Sequence, residues 1–278
     1  LSKPTGALEY IPASSSVVAA GTDLQQLWSQ IRNGVSGYAT LAQLINQPLA
    51  NLQNTWQLDL PKDIFEWVQG EYALALLPRL EQQPEWIFVA QRTPSATTAI
   101  ANLDALAQER GFSVGPLTLA DRPVSAWTKL DPTPLKATSN TKGKATDKTP
   151  RTSNNLPSSL VAAEVEGVHA TVGNYEIFTT SVEAMEQALQ AGRDAFSNSP
   201  GFKAAIATLP KDNNGYLYLD WANSRGLLEQ QLPILRLVEL AAQPFWSHLR
   251  SLTVTSLGGE AGVRRGEVFL NLSASDKA

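Results

Sequence analysis

The chain has 278 residues, of which 43% are hydrophobic and 17% charged, with seven tryptophans and a formal net charge of -4. This composition is that of a globular protein and excludes a disordered one. The mild negative charge argues against a nucleic-acid binder, which usually carries a basic stripe. Cysteine is absent, which excludes a disulfide framework, a thiolate nucleophile, a thiolate zinc site and an iron–sulfur cluster. No apolar run approaches the ~20 residues that a membrane-spanning helix needs.

Leu1 is not an initiator methionine, so we expect that a segment precedes the numbered chain. A signal peptide, an N-terminal membrane anchor and a cloning boundary all fit this start. The lack of cysteine, together with a single methionine, is compatible with an oxidising or exported location.

The stretch 58–77, which we call the organising stretch, is expected to lie at the centre of the fold. It combines a short amphipathic helix with a strand, and Gly70 lies between the two. Apolar residues at i, i+1, i+3 and i+4 form a helical stripe over 63–68. Gly70 ends that helix, and large and small apolar residues then alternate over 72–76 at the period of a strand. A second strand over 86–92 pairs with it as a hairpin.

Hydrophobic period, capping residues and turn residues predict strands and helices along the rest of the chain. Many strands follow one another through short turns, as antiparallel hairpins do. In chain order, the predicted strands are 17–20, 72–76, 86–92, 114–119, 124–130, 160–165, 167–172, 175–180, 215–220, 249–257 and 267–272, and the predicted helices are 23–31, 41–47, 63–68, 95–109, 181–189, 201–208 and 227–242.

Composition changes abruptly over residues 131–157, where apolar side chains are nearly missing. Such a polar segment cannot bury enough surface to offset the entropy lost on ordering. We expect a mobile, basic insertion between two strands, which contacts a protein partner. The residues expected to make that contact are Lys136, Lys142, Lys144, Lys148 and Arg151.

A strand–helix–hairpin unit recurs in the two halves of the chain. A polar turn, the strand 17–20 and a helix at Asp23 align with a polar turn, the strand 216–219 and a helix after Asp220. Two copies predict an α+β fold of mainly antiparallel sheets covered by helices on one face, and chance recurrence is the alternative. The expected units are a first repeat with an added helix and strands over 1–130, the insertion over 131–157 and a second repeat over 158–278.

Residues that carry most enzyme chemistry are sparse. His169 lies in a predicted strand and His248 at a helix end, and neither has a carboxylate or a second histidine at metal-ligand spacing. The Gly-x-Ser-x-Gly elbow of serine hydrolases is absent. The glycine-rich stretch 258–262 falls in a predicted hairpin turn, not in the strand–loop–helix context of a phosphate-binding loop. We therefore predict no catalytic residue, no metal site and no cofactor.

The carboxylates Asp59, Asp63, Glu66 and Glu71 cluster around the organising stretch. They fit a carboxylate pair or a divalent-cation site. Charges at a helix N-terminus and on a solvated surface are the preferred interpretation.

The seven tryptophans mostly occupy predicted core-facing positions, and packing explains most of them. The alternative is an apolar groove between the two repeats, where a partner or a lipid-like ligand binds. Its expected lining residues are Trp67, Trp86 and Trp221.

Several stretches together resemble one family. They are Ile11-Pro12 with its polar turn and strand, the stretch 58–77 with Asp63, Trp67 and Gly70-Glu71 at their spacing, and Phe202-Lys-Ala-Ala before Leu209-Pro210. Their order is similar to that of domain of unknown function 3352, a family found largely in cyanobacteria. The resemblance covers most of the chain, with a departure expected in the basic insertion. It implies an exported protein of the periplasm or thylakoid lumen, anchored or cleaved at its N-terminus, and brings no established activity.

These observations leave three hypotheses of function. The leading one is a non-enzymatic, extracytoplasmic interaction or assembly protein that binds a protein partner at a membrane complex, such as a photosynthetic one, and binds no nucleic acid. The second is a carrier of an apolar or lipid-like ligand in the groove between the repeats. The third is a hydrolase or isomerase that uses the acidic residues of 59–71.

Overall fold

In a computed structural model of the chain, the described residues include ten strands, which form one sheet. Every pair of neighbouring strands is antiparallel, which confirms the predicted α+β class with a mainly antiparallel sheet. The structure describes residues 6–25, 29, 50, 53–54, 59–79, 84–132, 161–210, 213, 215–225, 248–260 and 263–272.

Strands and helices follow one another along the described chain largely in the order that the hydrophobic period predicts. The strands are β1 (Val17–Thr22), β2 (Glu71–Leu77), β3 (Glu85–Gln91), β4 (Phe112–Leu119), β5 (Arg122–Pro132), β6 (Val161–Val172), β7 (Tyr175–Thr179), β8 (Gly215–Asp220), β9 (Leu249–Glu260) and β10 (Val263–Leu272). The helices described over their full length are α1 (Ala96–Glu109), α2 (Val182–Gln190) and α3 (Pro200–Ala207), with short helical turns at Gly6–Tyr10, Leu60–Phe65, Gly192–Asp194 and Phe196–Asn198. Residues 221–225 are also helical.

Serine residues begin two of the helices, the first at the predicted start of the helix 181–189 and the second two residues before the predicted helix 201–208. The Ser181 hydroxyl accepts a hydrogen bond from the Ala184 amide at 3.0 Å at the start of α2. The Ser199 hydroxyl accepts one from the Phe202 amide at 3.4 Å at the start of α3. Each bond satisfies an amide that has no partner within the first turn of its helix.

The sheet interleaves strands from both halves of the chain. The strand order is β10-β9-β8-β1-β2-β3-β7-β6-β5-β4. Strand β1 pairs with β8, so that Val17 lies opposite Leu219, and β3 pairs with β7. The strands that the sequence assigned to several sheets therefore lie in one continuous sheet.

Helices cover both faces of this sheet, so the prediction of one covered face is wrong. In β3, Ile87 and Val89 point into a core with α2 and α3, which we call the α2/α3 face. Their neighbours Phe88 and Ala90 point into a second core with α1, the α1 face. Because successive side chains of a strand point to opposite faces, a central strand that is apolar on both sides needs cover on both.

The predicted insertion leaves the sheet between two neighbouring strands. Pro132, at the end of β5, pairs with Val161, at the start of β6. Paired strands lie about 4.8 Å apart, so residues 132 and 161 are neighbours across the two strands. From residue 133 onward, the insertion that we predict to be mobile lies outside the described residues. The predicted helix 227–242 also lies outside them.

Local boundaries differ from prediction at several points, two of which concern the organising stretch and the glycine-rich stretch 258–262. The helical turn of the organising stretch is Leu60–Phe65, three residues before the predicted helix start at Asp63. Strand β9 continues through the glycines 258–259 to Glu260, so that these glycines are part of the hairpin's strand and not of its turn. Within the described residues, no helix is both long and apolar enough to cross a membrane.

Candidate functional site

The acidic residues of the organising stretch make separate structural contacts. The Asp63 carboxylate accepts a hydrogen bond from the Asp59 amide at 2.8 Å, which closes the helical turn locally. The Glu71 carboxylate accepts from the Tyr175 hydroxyl at 2.8 Å and from the Gly6 amide at 3.0 Å, which ties the N-terminal turn to β7. Among the described residues, no group of three or more potential ligands can hold a metal ion.

The three tryptophans of the predicted groove do not share one core. Trp67 is buried in the α1 face, where its indole donates to the Asp63 carbonyl at 3.1 Å, and Trp86 is partly buried against the same core. Trp221 belongs instead to a small cluster with Leu219 and Leu249. A groove lined by all three stays a prediction.

The predicted basic contact residues all belong to the insertion. All of them fall between β5 and β6, outside the described part of the chain. Their role stays a prediction for the residues Lys136, Lys142, Lys144, Lys148 and Arg151.

A buried histidine network that the sequence prediction missed lies beneath α1. Asp104, on α1, accepts a hydrogen bond from the Trp127 indole of β5 at 2.8 Å, and its Oδ1 lies 2.9 Å from Nε2 of His169 on β6. His169 is buried, and its ring stacks on Phe178 with the centroids 5.5 Å apart. Residues from a helix and two strands thus converge on one carboxylate.

The environment of Asp104 keeps it ionised. Burial alone would raise its pKa, but the hydrogen bonds from His169 and Trp127 outweigh burial and lower the pKa below its usual value. A carboxylate can only accept hydrogen bonds, so both rings donate to it. The partners are 65 and 23 residues away along the chain, and the signal that the sequence offered was a carboxylate within the apolar stripe of α1.

A second carboxylate, which is fully buried, lies on the same face. Glu176, on β7, is ion-paired with Arg92 Nε at 3.0 Å, and the Thr171 hydroxyl lies within 2.8 and 3.0 Å of its two oxygens. Arg92 also donates to the Thr97 hydroxyl of α1 at 3.1 Å. Burial raises the pKa of Glu176, although Thr171 and Arg92 act to lower it. The two carboxylates therefore fix α1 to the sheet through polar contacts.

The chemistry available to this network is limited. Within the described part of the chain, Asp104 is the hydrogen-bond partner of His169, and no hydroxyl nucleophile is bonded to the imidazole. An Asp–His pair orients an imidazole, but nucleophilic catalysis also needs a hydroxyl or thiol within its reach. The network thus resembles a structural polar anchor more than a catalytic dyad.

Replacing Asp104 by asparagine is expected to lower the free energy of unfolding by about 1–2 kcal/mol at pH 7, because two donors lose a charged acceptor. The pKa of Asp104 is lowered in the folded state, so its stabilising effect is present above the unfolded pKa and is lost as pH falls through the folded one. The deficit of Asp104→Asn should therefore shrink below about pH 4. Urea denaturation at pH 7 and pH 3.5 measures it, and a deficit that does not change with pH contradicts an ionised Asp104.

The far end of the α1 face exposes large apolar side chains. Strand register aligns Val268 of β10 with Val254 of β9, and Val254 with Leu217 of β8, and Leu270 lies opposite Leu252 in the next row. We call the exposed leucine and valine side chains of β8 and β10 on this face the apolar strip. Its members are Leu217, Val268, Leu270 and Leu272, with exposed fractions of 40%, 61%, 48% and 47%.

Comparison with known proteins identifies the family. Among solved structures, crystal forms I and III of TP0453 are similar to this chain, each with a TM-score of 0.44, at 10% and 9% sequence identity. The similarity covers 99% of this chain and 82% and 83% of those chains, and a likeness of this size carries no functional inference. No curated protein matches the sequence. The profile of the family described as "Protein of unknown function (DUF3352)" matches residues 1–272, so the chain belongs to that family, as the sequence predicted.

Proposed function

We propose that this chain is a non-enzymatic, extracytoplasmic interaction protein that binds a protein partner at a membrane complex. The observation that carries the proposal is the apolar strip on β8 and β10. Fully burying an exposed leucine or valine side chain is worth about 1.5–3 kcal/mol, and about half of this remains to be gained by the half-exposed members of the strip. Contiguous apolar patches on folded proteins mark interaction sites. The strip is the described surface best suited to a partner.

The roles of the polar residues support a non-enzymatic function. Asp63 and Glu71 stabilise a helical turn and the N-terminal segment. His169 and Asp104 fix α1 to the sheet. Each of these side chains makes a hydrogen bond that stabilises the fold. We therefore assign the proposed function to partner binding at the surface.

An apolar-ligand carrier is the second proposal, and the same strip favours it, because a lipid-like molecule would be buried against exposed leucine and valine. Titration of the protein with a panel of lipids and pigments, followed by tryptophan fluorescence, tests it. A spectrum that changes with a stoichiometric ligand supports a carrier, and an unchanged spectrum with every panel member contradicts it.

We also propose that the fold arose by duplication of the strand–helix–hairpin unit. The strand order β10-β9-β8-β1-β2-β3 supports this, because each unit contributes a first strand and a hairpin in mirrored order about the β8–β1 pair. This arrangement is what two related units joined at their first strands would give.

Crosslinking in native membranes tests the interaction proposal. A photoreactive amino acid replaces Leu270, which lies in the strip, or Leu117, a control of similar exposure at 39% on β4. We expect at least tenfold more crosslinked protein from position 270. A parallel chain without residues 136–151 shows whether the basic insertion shares the contact. Equal, low yields from both positions would contradict a role for the strip.

A further inference from the structure

The two outer strands of the described sheet differ in how they present their free edges. Strand β4 carries Gly115 and Pro116 in its middle. Proline has no amide hydrogen, so it blocks pairing with an added strand. Strand β10 contains no proline. Natural proteins protect exposed edges, and among the described strands β4 has this protection in its proline, whereas the run of β10 between its two register shifts has no proline.

In β10, the run 266–271 pairs regularly with β9 and lies between two register shifts, at Arg264/Gly266 and Asn271/Leu272. The outer edge of this run is the one that an added strand would pair with. Six residues of strand span about 20 Å. On the α1 face this run presents the exposed Val268 and Leu270 of the apolar strip. On the other face, Phe269 is partly buried against the α2/α3 core.

We propose that a second copy of this chain pairs with β10, antiparallel, about a two-fold axis that passes beside Phe269. The two sheets then continue as one across the dimer. The proposal rests on the part of the proposed function that assigns a protein partner to this exposed strand, and it names that partner as another copy of the chain.

The residues of β10 complement those of a second β10 in one antiparallel register, which favours a second copy as the partner. With Phe269 opposite its own copy, Val268 lies opposite the second copy's Leu270, and the exposed Glu267 lies opposite Asn271. Apolar side chains meet on one face, and a carboxylate meets an amide that can donate to it on the other. Moving the axis to Val268 would instead place Glu267 against Phe269 and would leave Leu270 opposite Gly266.

Backbone chemistry also favours a strand over a lipid surface. The outward amides and carbonyls of an edge strand need hydrogen-bond partners when they are removed from water. A second β10 supplies them, whereas hydrocarbon supplies none. Burial of the strip and satisfaction of the backbone are therefore achieved together by strand pairing.

The oligomeric state is the first test. Sedimentation of the wild-type chain between 1 and about 100 µM is expected to show a species with the mass of two chains, within the usual affinity range of specific association. Leu270→Lys should weaken this association at least tenfold, since a charge would then lie opposite Val268. Leu117→Lys, on the protected edge, is the matched control and should not weaken it. A single-chain mass at every concentration, or a dimer that Leu270→Lys leaves intact, overturns the proposal.

The register is tested with cysteines, because the chain has none of its own. Directly opposite side chains are within reach of a disulfide, whereas residues two positions out of register are about 7–8 Å apart. Val268→Cys mixed with Leu270→Cys should therefore oxidise to a mixed disulfide several-fold faster than either variant alone. Leu117→Cys gives the rate of random collision. Equal rates for the mixture and for the single variants overturn this register.

The two proposals fail in different ways. If the wild-type chain is monomeric but position 270 still crosslinks to another protein in membranes, the second copy is wrong and the interaction function stands. If the chain is a dimer and position 270 crosslinks only to itself, the second copy is confirmed and a separate membrane partner on this strand is excluded.

Discussion

Replacing Phe178 by alanine is expected to lower the free energy of unfolding by about 3–5 kcal/mol, among the largest effects of any single substitution in this protein. Phe178 is buried at the centre of the α1-face core. Its ring centroid lies 6.3 Å from those of Trp67 and Phe88 and 5.5 Å from that of His169. Truncation leaves a cavity bounded by stiff aromatic rings, which cannot collapse to fill it.

Urea denaturation followed by circular dichroism measures this loss, and the melting temperature should fall by roughly 10 °C. Phe178→Leu keeps most of the buried volume and should cost distinctly less than alanine. Leu270→Ala, on the exposed strip, is the matched surface control and should change stability by less than about 0.5 kcal/mol under conditions where the chain is monomeric. A loss below about 1 kcal/mol for Phe178→Ala would contradict its central place in the core.

Removing Arg92 is the second substitution with a large expected effect. Arg92→Ala leaves the Glu176 carboxylate buried without its cation. Breaking a fully buried pair in this way costs about 3–5 kcal/mol. The Arg92 side chain is 36% exposed, and water screens the pair at that end, so we expect a smaller loss of about 2 kcal/mol.

The stability lost in Arg92→Ala is expected to depend on pH through the ionisation of Glu176. Burial raises the pKa of Glu176 in the folded state, so its ionised form costs stability at neutral pH, and this cost disappears as pH falls below the unfolded pKa. Removing Arg92 increases the cost of ionisation. The deficit of Arg92→Ala should therefore be full at pH 7 and shrink towards pH 4, as measured by urea denaturation at both values.

A double-mutant cycle separates this charge effect from lost packing. In a Glu176→Gln background the buried charge next to Arg92 is removed, so Arg92→Ala should cost less than about 1 kcal/mol there, by loss of side-chain contacts alone. Equal deficits in both backgrounds would show that the ion pair contributes nothing and that the arginine stem acts only by packing.

Much of the secondary structure was predictable because its causes are local. Ser181 and Ser199 begin α2 and α3 by hydrogen bonds to amides three residues on. Gly173 has a positive φ of 59° in the β6–β7 turn that the sequence predicts. Turns and caps depend on a few neighbouring residues, and so a short stretch of sequence contains the information that specifies them.

The histidine network was not predictable in the same way. The sequence assigned His169 a structural role without a carboxylate partner, because none lies at metal-ligand spacing. The structure supplies Asp104 from a helix 65 residues away. The pairing depends on α1 packing across β5 and β6, and no local pattern encodes which helix covers which strands.

The apolar strip shows the same division. Alternation over 267–272 predicts a strand, and β10 is that strand. Only the strand order shows that β10 lies at the edge of the sheet, where Val268 and Leu270 are exposed. An identical pattern in a central strand would be buried on both faces, as in β3.

By itself the sequence determined the α+β class, most strands and helices, and membership of its family, because hydrophobic period, caps, turns and motif spacing act over a few residues. Only the tertiary structure decided that one sheet contains strands of both halves, that both of its faces are covered, and that Asp104 meets His169. These features depend on long-range pairing, in which the free energy of burial over the whole sheet selects among arrangements that are locally equivalent.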